Sequence, residues 1–209
     1  MRWTVMRLAF VLALAAVFTG ALPAAAASLT FALADPQATQ TPAQIFVRDA
    51  NARAESDDRG IVHIAGFRGL LNDDESTVEA YNADGEPLLF TVDKWRAAGG
   101  TADASADPGG SGDRITLALR RLIAFGHYSV FLRTTLADGV RFAALDGSGV
   151  GNNFDAKQDG SANVVVSSPS HVAAGAAIVV IYHSDAHDHG NSPGDFGRTA
   201  HQHVIARVP

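Results

Sequence analysis

The sequence predicts an all-β fold: a single antiparallel Greek-key sandwich or small barrel, with one short helical turn near 93–98. Three observations predict it. Short runs rich in Val, Ile, Phe, Tyr and Thr recur along the chain, and these residue types suit a pleated, half-buried surface. Gly, Asp and Asn clusters separate the runs about every 8–12 residues, the spacing of sandwiches and barrels. The 209 residues are 47% hydrophobic and 18% charged with no cysteine, so the fold must rest on an apolar core and not on disulfides. The same composition excludes a disordered chain, a collagen repeat, a coiled coil and a cysteine-based zinc module.

Residues 1–27 read as a secretory signal peptide and 28–209 as a single β-sandwich domain. Arg2 and Arg7 precede an apolar run over 8–18, and small residues ending in Ala25 and Ala27 follow it. That run is shorter than the roughly 20 residues a bilayer span needs. The expectation is therefore a periplasmic or extracellular protein, with no membrane insertion after the signal is cut. Its removal takes away two arginines and no acid, leaving 14 basic against 22 acidic side chains, a net of −8. An acidic surface repels phosphate backbones and anionic lipid, which argues against nucleic acid and membrane surfaces as partners.

Strands are expected at 28–33, 43–47, 60–67 and 76–81, the last leading into the turn Asn82-Ala83-Asp84-Gly85. A strand at 88–92 runs into the short helical stretch, with Gly99 as its stop. The segment 101–113 is Gly, Ala, Asp and Ser with one Pro and reads as a long loop. In 114–123, Ile115, Leu117 and Leu119 alternate with Thr116, Ala118 and Arg120, which favours a strand over a helix. The Phe125-Gly126 turn makes it one arm of a hairpin with 128–133. A strand at 141–145 follows the turn Ala137-Asp138-Gly139. Strands at 153–157 and 162–166 flank Asp159-Gly160, a second hairpin signal. Strands at 176–183 and 201–208 close the chain.

The histidines carry the one chemical signal. Five of eight lie in the last 27 residues, where an even spread would put about one. They are His183, His187, His189, His201 and His203. His183 ends the run Ile178-Val179-Val180-Ile181-Tyr182, while His201 and His203, two apart, project from one face of the last strand. If these strands pair, His183 faces His201 or His203 across the ladder, and His187 and His189 hang on the connecting loop. Converging imidazoles suit Zn(II) or Cu(II), with Asp185, Asp188 and Asp195 near enough to orient rings or bind directly. Without cysteine, and with both methionines in the leader, a blue-copper or soft Cu(I) site is excluded. His63 and His127 read as surface or satisfied strand histidines, and His171 as a loop residue able to approach the cluster.

The expected function is binding of a divalent transition metal, Cu or Zn, in the cell envelope. An open coordination position would admit redox or hydrolytic chemistry. The alternative is a structural or recognition β-sandwich that binds protein or glycan, its histidine loop incidental. Other chemistry is poorly supported. Ser184, His187 and Asp188 have the residue types of a triad, but a triad is defined by geometry and roles and not by neighbours in sequence, and no Gly-x-Ser-x-Gly elbow occurs. The 146–155 segment lacks the spacing of a calcium loop, and Gly109-Gly110-Ser111-Gly112 lacks the Lys-Ser/Thr of a phosphate loop.

The tail Ile181-Tyr182-His183-Ser184-Asp185, His189-Gly190 and Ala200-His201-Gln202-His203 resembles the ending of secreted bacterial β-sandwich proteins of unassigned activity. The Leu145-Asp146-Gly147, Asn153-Phe154 and Asp159-Gly160 segments are similar to the same group, so the resemblance covers about 110–209 and implies no chemistry. Copper/zinc superoxide dismutase is a more distant comparison, as a secreted Greek-key barrel with His-x-His ligands. This chain departs from it in lacking paired cysteines and in carrying its His-x-His at the C-terminus, so no activity is transferred.

Overall fold

The computed structural model describes residues 27–34, 44–56, 61–108 and 112–209. The expected leader, except Ala27, and the glycine run over 109–111 lie outside the described residues. The strands in chain order are β1 (Ala27–Leu33), β2 (Phe46–Arg48), β3 (Glu55–Ser56), β4 (Val62–His63), β5 (Phe67–Gly69), β6 (Glu79–Tyr81) and β7 (Pro87–Thr91). The helix α1 (Val92–Arg96) intervenes. Then come β8 (Gly99–Ala106), β9 (Asp113–Arg120), β10 (His127–Leu136), β11 (Gly139–Ala144), β12 (Asn153–Asp155), β13 (Ala162–Ser168), β14 (Ala177–His183) and β15 (Ala200–Arg207). Strand makes up 49% of the structure and helix 3%, so the all-β expectation holds, with its single short helix where the sequence put it.

A large antiparallel sheet runs in the order β11-β10-β14-β15-β1-β8-β9-β13. It curls strongly. β12 pairs with β10 near one end of that path, and only the 156–161 segment separates it from β13 at the other end. β1 joins the two halves, because its first five residues pair with β8 while Ala32 and Leu33 pair with β15.

The curl encloses the main core. In β9 the sequence alternation is reproduced, with Ile115, Leu117 and Leu119 buried and Thr116, Ala118 and Arg120 exposed. β14 is buried at all seven positions because both of its faces are covered. Ile178, Val180 and Tyr182 join the main core, whereas Val179 and Ile181 pack with Phe131, Ile205 and Phe196 on the outside. Each such aliphatic side chain contributes about 1.5–3 kcal/mol by leaving water. A smaller sheet, β5-β2-β6-β7, carries its own cluster of Phe46, Ile61, Tyr81 and Ala83. It is joined to the 184–199 loop by Ala83 N donating to Gly197 O at 2.7 Å.

Three sequence expectations need correction. The first part of the expected 101–113 loop, 101–106, belongs to β8, which lies between β1 and β9. Its small residues signalled a loop, yet Ala102 is fully buried in the sheet, and just before the segment a Cβ at Gly100 would stand 2.4 Å from Ala118 O. β9 and β10 do not form a hairpin. Arg121 and Phe125 adopt left-handed backbone, and Leu122 N donates to Gly160 O at 2.9 Å, so the 121–126 segment crosses the mouth of the curl instead of reversing. The Asp159-Gly160 turn does form, closed by Gly160 N to Lys157 O at 2.9 Å. Its arms then part, β12 to β10 and β13 to β9.

Candidate metal centre

β14 and β15 pair as expected, but a β-bulge sets which way their histidines point. The ladder passes from Val180↔Val204 to Ile181↔Gln202, leaving His203 as the extra residue. His183 therefore lies opposite Ala200, and His201 opposite Tyr182. His183 shares the outer face of β14 with Ile181, while His201 and His203 face the main core.

Both inward histidines are fully buried and bonded. His203 lies on Trp95, ring centroids 3.8 Å apart and nearly parallel. Its Nε2–H donates to Trp95 O at 2.8 Å, and its Nδ1 accepts from the Tyr128 hydroxyl at 3.2 Å. His201 Nδ1–H donates to Gln44 O at 2.8 Å, and its Nε2 lies 3.2 Å from Ser184 Oγ. Burial pushes His201 down to about 4 and His203 down to about 3, so both rings are neutral at pH 7. The structure does not bring them to His183.

A different set gathers at the tip of β14. Ligand atoms of His183, Asp185 and His189 all lie within 4.8 Å of one another. Ala186, in left-handed backbone, turns the chain just after β14, with its N–H donating to His183 O at 3.3 Å. Asp185 Oδ1 accepts from His187 N at 3.3 Å, and Oδ2 lies 3.1 Å from His189 Nε2. The ring of His189 rests against the bare Cα of Gly194, where an added Cβ would stand 3.2 Å from Cδ2. His187, two residues away, is exposed and takes no part in the cluster.

His183 is the buried member, at 2% exposure. Its Nε2 lies 2.6 Å from Ser129 Oγ on β10, and its Nδ1 is buried without a hydrogen-bond partner. Burial, reinforced by the neighbouring His189 and His127, pushes its pKa down to about 4 against the pull of Asp185. A neutral imidazole with one nitrogen held by a hydroxyl and the other bare is the form a metal takes.

His127 is the residue the sequence undervalued. It opens β10 directly across the ladder from His183, with ring centroids 5.8 Å apart. Its Nδ1 lies 2.7 Å from Asp155 Oδ1 and its Nε2 2.6 Å from Asp188 Oδ1. Burial opposes its charge, but the two carboxylates outweigh burial and raise its pKa. Only the register of β10 on β14 reveals this neighbour, and no local pattern encodes it. Of the other expected aspartates, Asp188 serves His127 and Asp195 lies 3.5 Å from Arg198 Nη1. His171 pairs with Asp113 at 2.8 Å, and His63 is buried against Phe46.

The loop that fell short of a calcium motif folds around its own acid. Asp146 accepts from the backbone N–H groups of Ser148, Gly149, Val150 and Gly151 at 2.8–3.1 Å. Burial resists its charge, yet these bonds and the Ser148 hydroxyl hold its pKa at about 2. The loop packs against the backbone next to His189, since a Cβ at Gly149 would stand 2.2 Å from the carbonyl carbon of Gly190.

No family model, curated protein or solved structure matches this chain.

Proposed function

We propose that this is an exported protein that binds one divalent transition metal ion, zinc or copper, through His183, Asp185 and His189. The observation that carries the reading is the bare, buried Nδ1 of His183 beside two further ligand residues. An orphaned buried nitrogen costs about 1–3 kcal/mol, and a bound ion removes that cost. The spacing suits an ion. Zinc bonds of about 2.0–2.1 Å put tetrahedral ligand atoms about 3.3 Å apart. His189 Nε2 and Asp185 Oδ2 already stand 3.1 Å apart. The remaining separations, up to 4.8 Å, need only small side-chain rotations to close.

Two imidazoles and one carboxylate form a borderline donor set, which favours Zn(II), and they leave a fourth position for water. An ion there would lower the pKa of that water and supply the means for hydrolysis. Ser129 would fix the tautomer of His183, and His127 would hold the loop through Asp188. The leader at 1–27 supports export, and a mature chain beginning at Ser28 in the exported fraction would bear it out.

The test is elemental analysis of untagged protein after dialysis against a weak chelator. One zinc per chain is expected, lost in His183→Ala/His189→Ala and retained in His187→Ala. Stoichiometric copper would keep the site and change the ion. A protein left empty, and equally stable with and without added metal, overturns the reading.

A further inference from the structure

Three separate segments meet at the mouth of the curled sheet and leave a cleft of about 620 Å³ between them. Its walls are the 89–97 stretch through α1, the 121–124 bend after β9 and the 158–160 turn before β13. None of its lining residues belongs to the histidine cluster. Small-molecule sites commonly enclose about 300–1,000 Å³, and barrel mouths are among the places where they occur.

The lining has a definite chemical character. Leu89, Phe90, Leu122 and Ile123 give it an apolar surface, and Lys94 and Arg121 stand among them. Among the described residues, neither cation has an ion pair. The one acid in the lining, Asp159, is bonded within its own turn to Ser161 N at 2.9 Å. The cleft is thus locally cationic on a chain of net charge −6.

Backbone strain gathers at the same place. Leu89, Arg121 and the adjoining Phe125 have φ of 61°, 55° and 57°, three of the five left-handed non-glycine residues among those described. Leu89 is 91% exposed and Phe125 71% exposed, so two large apolar side chains stand in water beside the opening. Strained residues persist where the surrounding structure holds them, and they cluster at ligand clamps.

We infer that this cleft binds a small amphipathic carboxylate. The apolar body of this alkyl or aryl acid lies along Leu89, Phe90, Leu122 and Ile123, and its anionic head meets Lys94 and Arg121. The charge complementarity selects an acid over a neutral or cationic molecule of the same shape. The site is independent of the metal centre, so binding takes place with or without an ion at His183.

Calorimetric titration of the full chain with decanoate, below its micelle concentration and with a chelator present, tests this. Saturable one-to-one binding is expected, with decyltrimethylammonium at least about tenfold weaker. Lys94→Gln/Arg121→Gly should weaken decanoate about tenfold, the glycine keeping the left-handed backbone without strain. Amide shift mapping in the unmutated protein gives a second reading: decanoate should move Leu122, Ile123 and Gly160. No saturable binding, equal affinity for the cationic surfactant, undiminished affinity in the double variant, or shifts confined to another region would each overturn the inference.

Discussion

His127 holds Asp188 at 2.6 Å, and through that contact the first residue of β10 ties down the loop that carries His189. The partner on the other side is Asp155, the last residue of β12, whose Oδ1 lies 2.7 Å from Nδ1 of the same ring. The stretch that carries Asp185 and His189, the proposed ligands, is therefore held by β14 before it and by the His127–Asp188 contact within it. Asp188→Asn should leave overall stability within about 1 kcal/mol, since the aspartate is half exposed. Amide exchange over 185–189 should nevertheless quicken, and zinc should bind about tenfold more weakly. Unchanged exchange in that loop would deny His127 this role.

His203 is a core residue, and its removal should separate stability from metal binding. His203→Ala leaves a void on the face of Trp95 and strips partners from Trp95 O and the Tyr128 hydroxyl. A loss of about 3–5 kcal/mol in urea unfolding is expected. Zinc stoichiometry should be unchanged wherever the variant is folded. Lost zinc in the folded variant would place His203 in the metal site after all.

Acid should unfold the protein through its buried histidines. His201 and His203 titrate at about 4 and about 3 when folded, below the 6.5 of a free side chain. Their contribution is complete above pH 6.5 and falls as the unfolded chain takes up protons that the folded one refuses. These two protons alone give a slope of up to about 2.7 kcal/mol per pH unit between pH 6.5 and 4, and His183, held at about 4, adds to it with the same sign. His127 has the opposite sign: its raised pKa makes its contribution complete below 6.5 and lost as pH climbs through the folded value. That term is the smaller one because its carboxylate partners are exposed. Urea unfolding at pH 7, 6, 5 and 4 checks the sign, and a flat profile would refute it.

Gly194→Ala should damage the site by contact with a proposed ligand, although Gly194 is not one itself. The position has a φ of 89°, and its new Cβ would press on the His189 ring at 3.2 Å from Cδ2 and 3.3 Å from Nε2. A stability loss of about 1–2 kcal/mol is expected from the backbone alone. Zinc affinity should fall more than this loss explains, and calorimetry on the folded variant would read it.

Much of the architecture was legible because it is written locally. The alternation of Ile115, Leu117 and Leu119 gave β9, and the unbroken apolar run before His183 gave β14. The helical turn at Trp95 and the Asp159-Gly160 turn also lay where local signals put them. What failed depended on partners far away in the chain. Residues 101–106 read as loop because alanines such as Ala102 and Ala104 make sense only in a strand between β1 and β9. The candidate site shows the same division. His183 and His189 were found by clustering, with Asp185 beside them as a helper. His201 and His203 were misdirected because one bulge residue decides which face of the sheet they take. His127 was missed because its neighbour across the ladder lies 56 positions away.

The pairing of β1 with β15 sets the order in which the molecule can be made. Ala32 meets Ile205 and Leu33 meets Val204, so a strand from the beginning of the fold waits for one from its end. Until β15 arrives, the β8-β1 half and the β10-β14 half have no ladder between them, and each presents an open strand edge. Contacts that span most of the chain are closed late and slowly, on the millisecond-to-second scale of high-contact-order β proteins. Any helper that acts on this chain during synthesis would have to mask those edges until the last eight-residue strand is delivered.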